Sequence, residues 1–80
     1  MMNERKKIEL HLLRKYREFR ANKRKFGDVA ALTLTAAYAT AGLMDLYKDL
    51  YGARELKNFV RLNFEEDDAG RAIEWASRHV

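Results

Sequence analysis

The sequence predicts an all-α fold, a small helical bundle of about four helices with a long apolar central helix. Three observations carry this. The 80 residues include no proline and only four glycines, and three of these, Gly27, Gly52 and Gly70, fall where helical periodicity breaks. Apolar residues recur at spacings of three and four, the repeat of one helix face at 3.6 residues per turn. No Asn-Gly or similar hairpin signal, internal repeat or low-complexity linker interrupts the chain.

The first helix is expected at about residues 3–24, where Ile8, Leu12, Tyr16 and Phe19 form one apolar stripe. Gly27 stops it, since glycine past a helix end relieves the steric cost of a left-handed residue, and Asp28 is the natural N-cap of the next helix. The second helix, at about 29–51, opens with a sixteen-residue stretch, Val29 to Met44, that carries no charge. Leu32, Ala36, Ala39, Leu43, Leu46 and Leu50 make its expected core face, while Asp45, Lys48 and Asp49 face out of its second half. Gly52 ends it. A third helix at about 53–64 presents Leu56, Phe59, Val60 and Asn63. A fourth, at about 68–79 and capped by Asp68, presents Ala69, Ala72, Ile73, Ala76 and Val80. Trp75 stands away from that stripe, where it either closes the edge of the core or anchors a partner.

These elements are expected to form one domain, residues 1–80, with a basic amphipathic helix over 1–25 and a helical core over 28–80. A domain of this size buries only about 60–65% of the surface its unfolded chain exposes, so its core is small. Without cysteine there is no disulfide and no thiolate metal site; helix packing or oligomerisation must supply the stability. The cysteine-free chain suits a reducing, cytoplasmic setting. Residues 1–7 are polar and basic, but the residues after them alternate apolar with charged, unlike a secretory signal. Val29–Met44 is shorter than the roughly 20 apolar residues a membrane span needs, and it contains Thr33, Thr35, Thr40 and Gly42.

Charge is unevenly placed. Residues 1–25 hold ten of the sixteen Lys and Arg against three Glu, a net of +7, and residues 26–80 carry a net of −3. On the first helix, Lys6, Lys7, Arg14, Arg17, Arg24 and Lys25 gather within about 100° of arc opposite the apolar stripe, with Leu10 the one apolar residue among them. Over residues 6–25 they would follow about 30 Å of anionic backbone, a match to nucleic acid or a nucleoprotein groove. The competing reading is an ordinary solvated face. Tyr16 and Phe19 lie on the apolar stripe, so they read as core and not as base-stacking platforms.

The second helix suggests a different surface. Leu34, Tyr38 and Ala41 lie opposite the expected core face of its first half, and an all-round apolar helix must be covered all round. Self-association as a homodimer, with Thr33, Ala37 and Ala41 allowing close approach, would cover it; the other helices wrapping it within a monomer is the alternative.

Other chemistry is poorly served. Asn63, Glu65, Asp67 and Glu74 match positions 1, 3, 5 and 12 of a calcium-binding loop, but position 1 is Asn63 instead of Asp and position 6 is Asp68 instead of Gly. Helix capping accounts for the acids more simply. The acidic run Glu65–Asp68 would also repel phosphate, which speaks against a helix-turn-helix in the last two helices. His11 and His79 stand in no ligand pair, and Glu9 with His11, two apart, point in different directions on a helix. No Gly-rich phosphate loop, serine elbow or cysteine nucleophile occurs, so no catalytic residue, metal or cofactor is expected, and the chain reads as non-enzymatic.

In size and composition alone, the chain resembles the small regulators and inhibitors encoded by phages and other mobile elements, anti-CRISPR proteins among them. No motif carries that likeness and it transfers no functional residue. Three roles suit such a chain: a module whose basic helix engages nucleic acid or a nucleoprotein complex; an inhibitor or adaptor that binds an acidic protein surface without nucleic acid; or a structural subunit of a larger assembly. All three take an anionic or protein partner and none needs a membrane.

Overall fold

The computed structural model describes residues 3–27 and 35–78, the side chains of Thr35, Trp75, Ala76 and Arg78 excepted. The fold is all-α: the described residues form four helices and no strand. They are α1 (Glu4–Phe26), α2 (Thr35–Tyr51), α3 (Ala53–Asn63) and α4 (Glu66–Arg78). No helix among these residues is long and apolar enough to cross a membrane. The chain divides into two compact units, Met1–Met44 and Asp45–Val80. The continuous helix α2 contributes residues to both.

In the first unit, α1 starts because Asn3 supplies an N-cap. Its Oδ1 accepts the Lys6 N–H at 2.8 Å and its carbonyl accepts the Lys7 N–H at 3.1 Å, satisfying donors that a helix start leaves open. Glu4 in the first turn and Lys23, Arg24 and Lys25 in the last complement the helix dipole. The helix runs on to Phe26, two residues beyond the expected end, and stops at Gly27, whose N–H donates to the Lys23 carbonyl at 2.9 Å. With φ 85° and ψ 168°, Gly27 occupies a backbone region open in practice only to glycine, not the left-handed helical well that the sequence pattern suggests. Leu12 and Tyr16 are buried and Ile8 and Phe19 half-buried, as the apolar stripe predicts. The Tyr16 and Phe19 rings lie 6.4 Å apart. The expected cap Asp28 and the residues Leu32, Thr33 and Leu34 lie outside the described residues, so of the long apolar helix expected at about 29–51 only Thr35–Tyr51 is described.

The buried face of α2 differs from expectation. Ala36, Thr40, Met44 and Tyr47 are its buried residues, whereas Ala39 and Leu43 are half-buried and Leu46 and Leu50 are 43% and 55% exposed. The core-facing side is turned away from the aliphatic ridge toward the one that ends in aromatic residues. In the second unit the reason is visible: Tyr47 is fully buried, its ring 4.9 Å from that of Tyr51 and 5.4 Å from that of Phe59. An aromatic ring buries more area than a leucine, and paired rings add to it. Thr40 tolerates burial because its Oγ1 donates to the Ala36 carbonyl at 2.7 Å. Lys48, expected to face out, is half-buried.

Gly52 ends α2 and begins α3: its N–H donates to the Lys48 carbonyl at 2.8 Å and its carbonyl accepts the Leu56 N–H at 3.1 Å. Its φ of 96° suits glycine alone. An added Cβ would meet no atom within 4 Å, so backbone conformation, not space, sets the requirement. Helix α3 then buries Leu56, Phe59 and Val60, as its periodicity predicts, and packs against α4. Asn63 is exposed, its Nδ2 donating to the Phe59 carbonyl at 2.9 Å. Leu62 stands on the outside of the helix.

Helix α4 starts two residues earlier than expected, with the Glu65 carbonyl accepting the Ala69 N–H at 2.8 Å. Asp68 is therefore inside the first turn and buried, not an N-cap, and Gly70 lies within the helix instead of at a break. Three acids in the first turn, Glu66, Asp67 and Asp68, suit the dipole wherever the start falls. Ala69 and Ala72 are buried and Ile73 half-buried, in keeping with the expected stripe. The expectations for Trp75, Ala76 and Val80 lie outside the described side chains.

Candidate nucleic-acid interface

The ten cations of α1 fall into two groups. Arg5, Lys15, Arg20 and Lys23 are half-buried and engaged within the protein. Arg5 reaches Glu9 with an Nε to Oε2 distance of 3.6 Å, and Lys15 reaches Glu18 at 3.3 Å. These are ordinary pairs one turn apart, worth a few tenths of a kcal/mol each. Lys6, Lys7, Arg14, Arg17, Arg24 and Lys25 are all exposed, and among the described residues none forms an ion pair. Lys25 Nζ stands 5.3 Å from the centroid of the Phe26 ring.

Glu9 and Glu18 sit outside the cationic arc and pair with Arg5 and Lys15, although Lys6 stands three residues from Glu9 and Arg14 four from Glu18. Leu10, 44% exposed, is not the one apolar residue of the arc: Ala21, also exposed, lies with it along the middle. The result is a solvent-facing band of six like charges on one element, with side chains long enough to reach a partner and, among the described residues, no ion pair to give up. Sequence periodicity identifies the band but not its separation from the four engaged cations. Charge spacing does not mark that separation, since Lys6 and Arg14 of the band also stand one turn from Glu9 and Glu18.

The other expected surface is partly in view. Tyr38 is 68% exposed, Ala41 is half-buried, and Leu34 lies outside the described residues. Leu46 and Leu50 of α2, which the apolar pattern assigns to the core, stand instead on its surface.

Residues 63–74 do not form a loop: only Phe64 and Glu65 lie between α3 and α4, so the calcium-like spacing is spread over two helices. Among the described residues no three His, Asp or Glu gather as a metal-binding group. His11 is exposed on α1, and His79 lies outside the described residues.

No family model, no curated protein and no solved structure matches this chain.

Proposed function

We propose that this chain is a non-enzymatic helical binding module that engages nucleic acid, free or within a nucleoprotein complex, through the exposed face of α1. One observation carries the reading: six aligned cations are exposed and lack ion pairs among the described residues, while the four off the arc are engaged internally. A solvated face kept only for solubility has no need of this segregation. Phosphate backbones reward it, because each neutralised phosphate releases condensed counterions. A regulator or inhibitor of a nucleoprotein machine, acting in the cytoplasm, fits this mode of binding. The test is affinity purification from the source cell with and without nuclease. Loss of the captured partner on nuclease treatment is the expected result. A partner that stays bound after nuclease would favour an acidic protein surface instead.

We further propose that Tyr38 belongs to a homodimer contact, since a tyrosine ring so exposed in an uncharged stretch offers apolar area to a second copy. Tyr38→Glu is expected to give a soluble monomer in sedimentation runs where the wild-type chain is dimeric. A wild-type monomer at high protein concentration would remove this proposal.

A further inference from the structure

The six exposed cations are related by a pattern that neither charge nor exposure requires. They pair about a point between Lys15 and Tyr16: Lys6 with Lys25, Lys7 with Arg24, and Arg14 with Arg17 each stand equally far from it along the helix. At about 100° per residue the same pairing exchanges the two margins of the arc. One margin carries Lys6, Arg17 and Arg24, separated by eleven and then seven residues; the other carries Lys7, Arg14 and Lys25, separated by seven and then eleven. The face thus has an approximate two-fold axis perpendicular to α1. Leu10 and Ala21 lie between the margins and are exchanged by the same axis.

A complementary ligand presents two antiparallel rows of negative charge. A single strand offers one row, and an acidic protein surface offers two dyad-related rows only where it spans the axis of a symmetric dimer. The antiparallel phosphodiester strands of a duplex are related by such dyads along its whole length. We propose that α1 lies along the major groove of duplex DNA with three cations directed to each strand, which rests on the proposal that this face takes nucleic acid.

Dimensions agree. An arc of about 100° on a helix of diameter 10–12 Å has a chord of roughly 8–9 Å, and extended Lys and Arg side chains widen it on both sides. The major groove of B-form DNA, about 12 Å wide, admits a helix. The deep, narrow major groove of duplex RNA does not. The middle of the face, Leu10 and Ala21, offers no hydrogen-bond donor or acceptor to base edges, so the centre supports only apolar contact such as that with a thymine methyl. Binding is therefore held by phosphates and tolerant of sequence.

The test measures binding of a short, labelled, mixed-sequence DNA duplex by fluorescence anisotropy as a function of salt. Six phosphate contacts give a log–log slope of about −5 for the wild-type chain. One variant carries Lys6→Gln, Arg17→Gln and Arg24→Gln, the other Lys7→Gln, Arg14→Gln and Lys25→Gln. Each is expected to reduce the slope by about 3 and to weaken binding equally, with helicity unchanged by circular dichroism. A second measurement needs no protein variant: duplexes with neutral methylphosphonates on one strand or the other should lose affinity equally. If one triple variant binds like wild type, if neutralising one strand has no effect, or if a matched single strand binds as tightly as the duplex, the two-strand arrangement is overturned and the nucleic-acid reading stands. Failure of the wild-type chain to bind duplex or single strand at low salt overturns both.

Discussion

Changing Arg14, Arg17 and Arg24 together to Glu is expected to abolish partner capture while leaving the fold in place. Lys6, Lys7 and Lys25 remain, so three positive charges face three negative ones and the arc becomes neutral. A face whose binding energy is mainly counterion release then has nothing left to release. The cost to the fold should be small because all three arginines are exposed and form no ion pair among the described residues; such substitutions usually fall within about 0.5 kcal/mol each. Two local penalties are foreseeable. Glu at position 14 stands one turn from Glu18, costing about 0.2–0.5 kcal/mol, and Glu at position 24 opposes the helix dipole in the last turn, costing about 0.3–1 kcal/mol. Circular dichroism and a melting curve would register these, and capture or anisotropy at low salt would register function. A triple variant that captures its partner as well as wild type would show that the band is a solvated surface and that contact is made elsewhere, with Trp75 and the acidic residues Glu65, Glu66 and Asp67 next to be tested.

The parts of this fold legible in the sequence are those where only one pattern fits the spacing. On α1, Leu12 and Tyr16 share a stripe that no other apolar set rivals, so both the buried side and the cationic side follow from it. Gly27 and Gly52 mark stops because no other residue accepts their backbone geometry. Leu56, Phe59 and Val60 likewise leave α3 one choice. Helix α2 has two ridges of comparable apolar content that share Ala36: one continues through Ala39, Leu43, Leu46 and Leu50, the other through Thr40, Met44, Tyr47 and Tyr51. Hydropathy favours the aliphatic ridge, yet burial follows the aromatic one, because the partner ring that decides it, Phe59, belongs to a different helix. No periodicity within α2 contains that information. The start of α4 is ambiguous for a related reason. Four consecutive acids, Glu65 to Asp68, could each open a helix, so composition places the start only to within a turn. On the candidate interface, the six cations are legible from angle alone. The dyad relating them is equally present in the residue numbers and depends on no tertiary contact.

The two ridges of α2 can be told apart by truncating neighbouring residues that differ in burial. Tyr47→Ala is expected to cost on the order of 3–5 kcal/mol, the range for removing a fully buried aromatic side chain, because it empties the space beside Tyr51 and Phe59. A chain of 80 residues has a total stability of about 4–12 kcal/mol, so the loss is a large fraction of the whole. Tyr47→Leu retains much of the apolar volume and gives a measurable transition even if the alanine variant fails to fold. Leu46→Ala, one residue away and already 43% exposed, removes far less buried area and is expected to cost under about 1 kcal/mol. Denaturant unfolding followed by circular dichroism compares the three. If Leu46→Ala proves the more destabilising, the aliphatic ridge is the core-facing one, Tyr47 is peripheral, and the aromatic cluster is not what holds the second unit together.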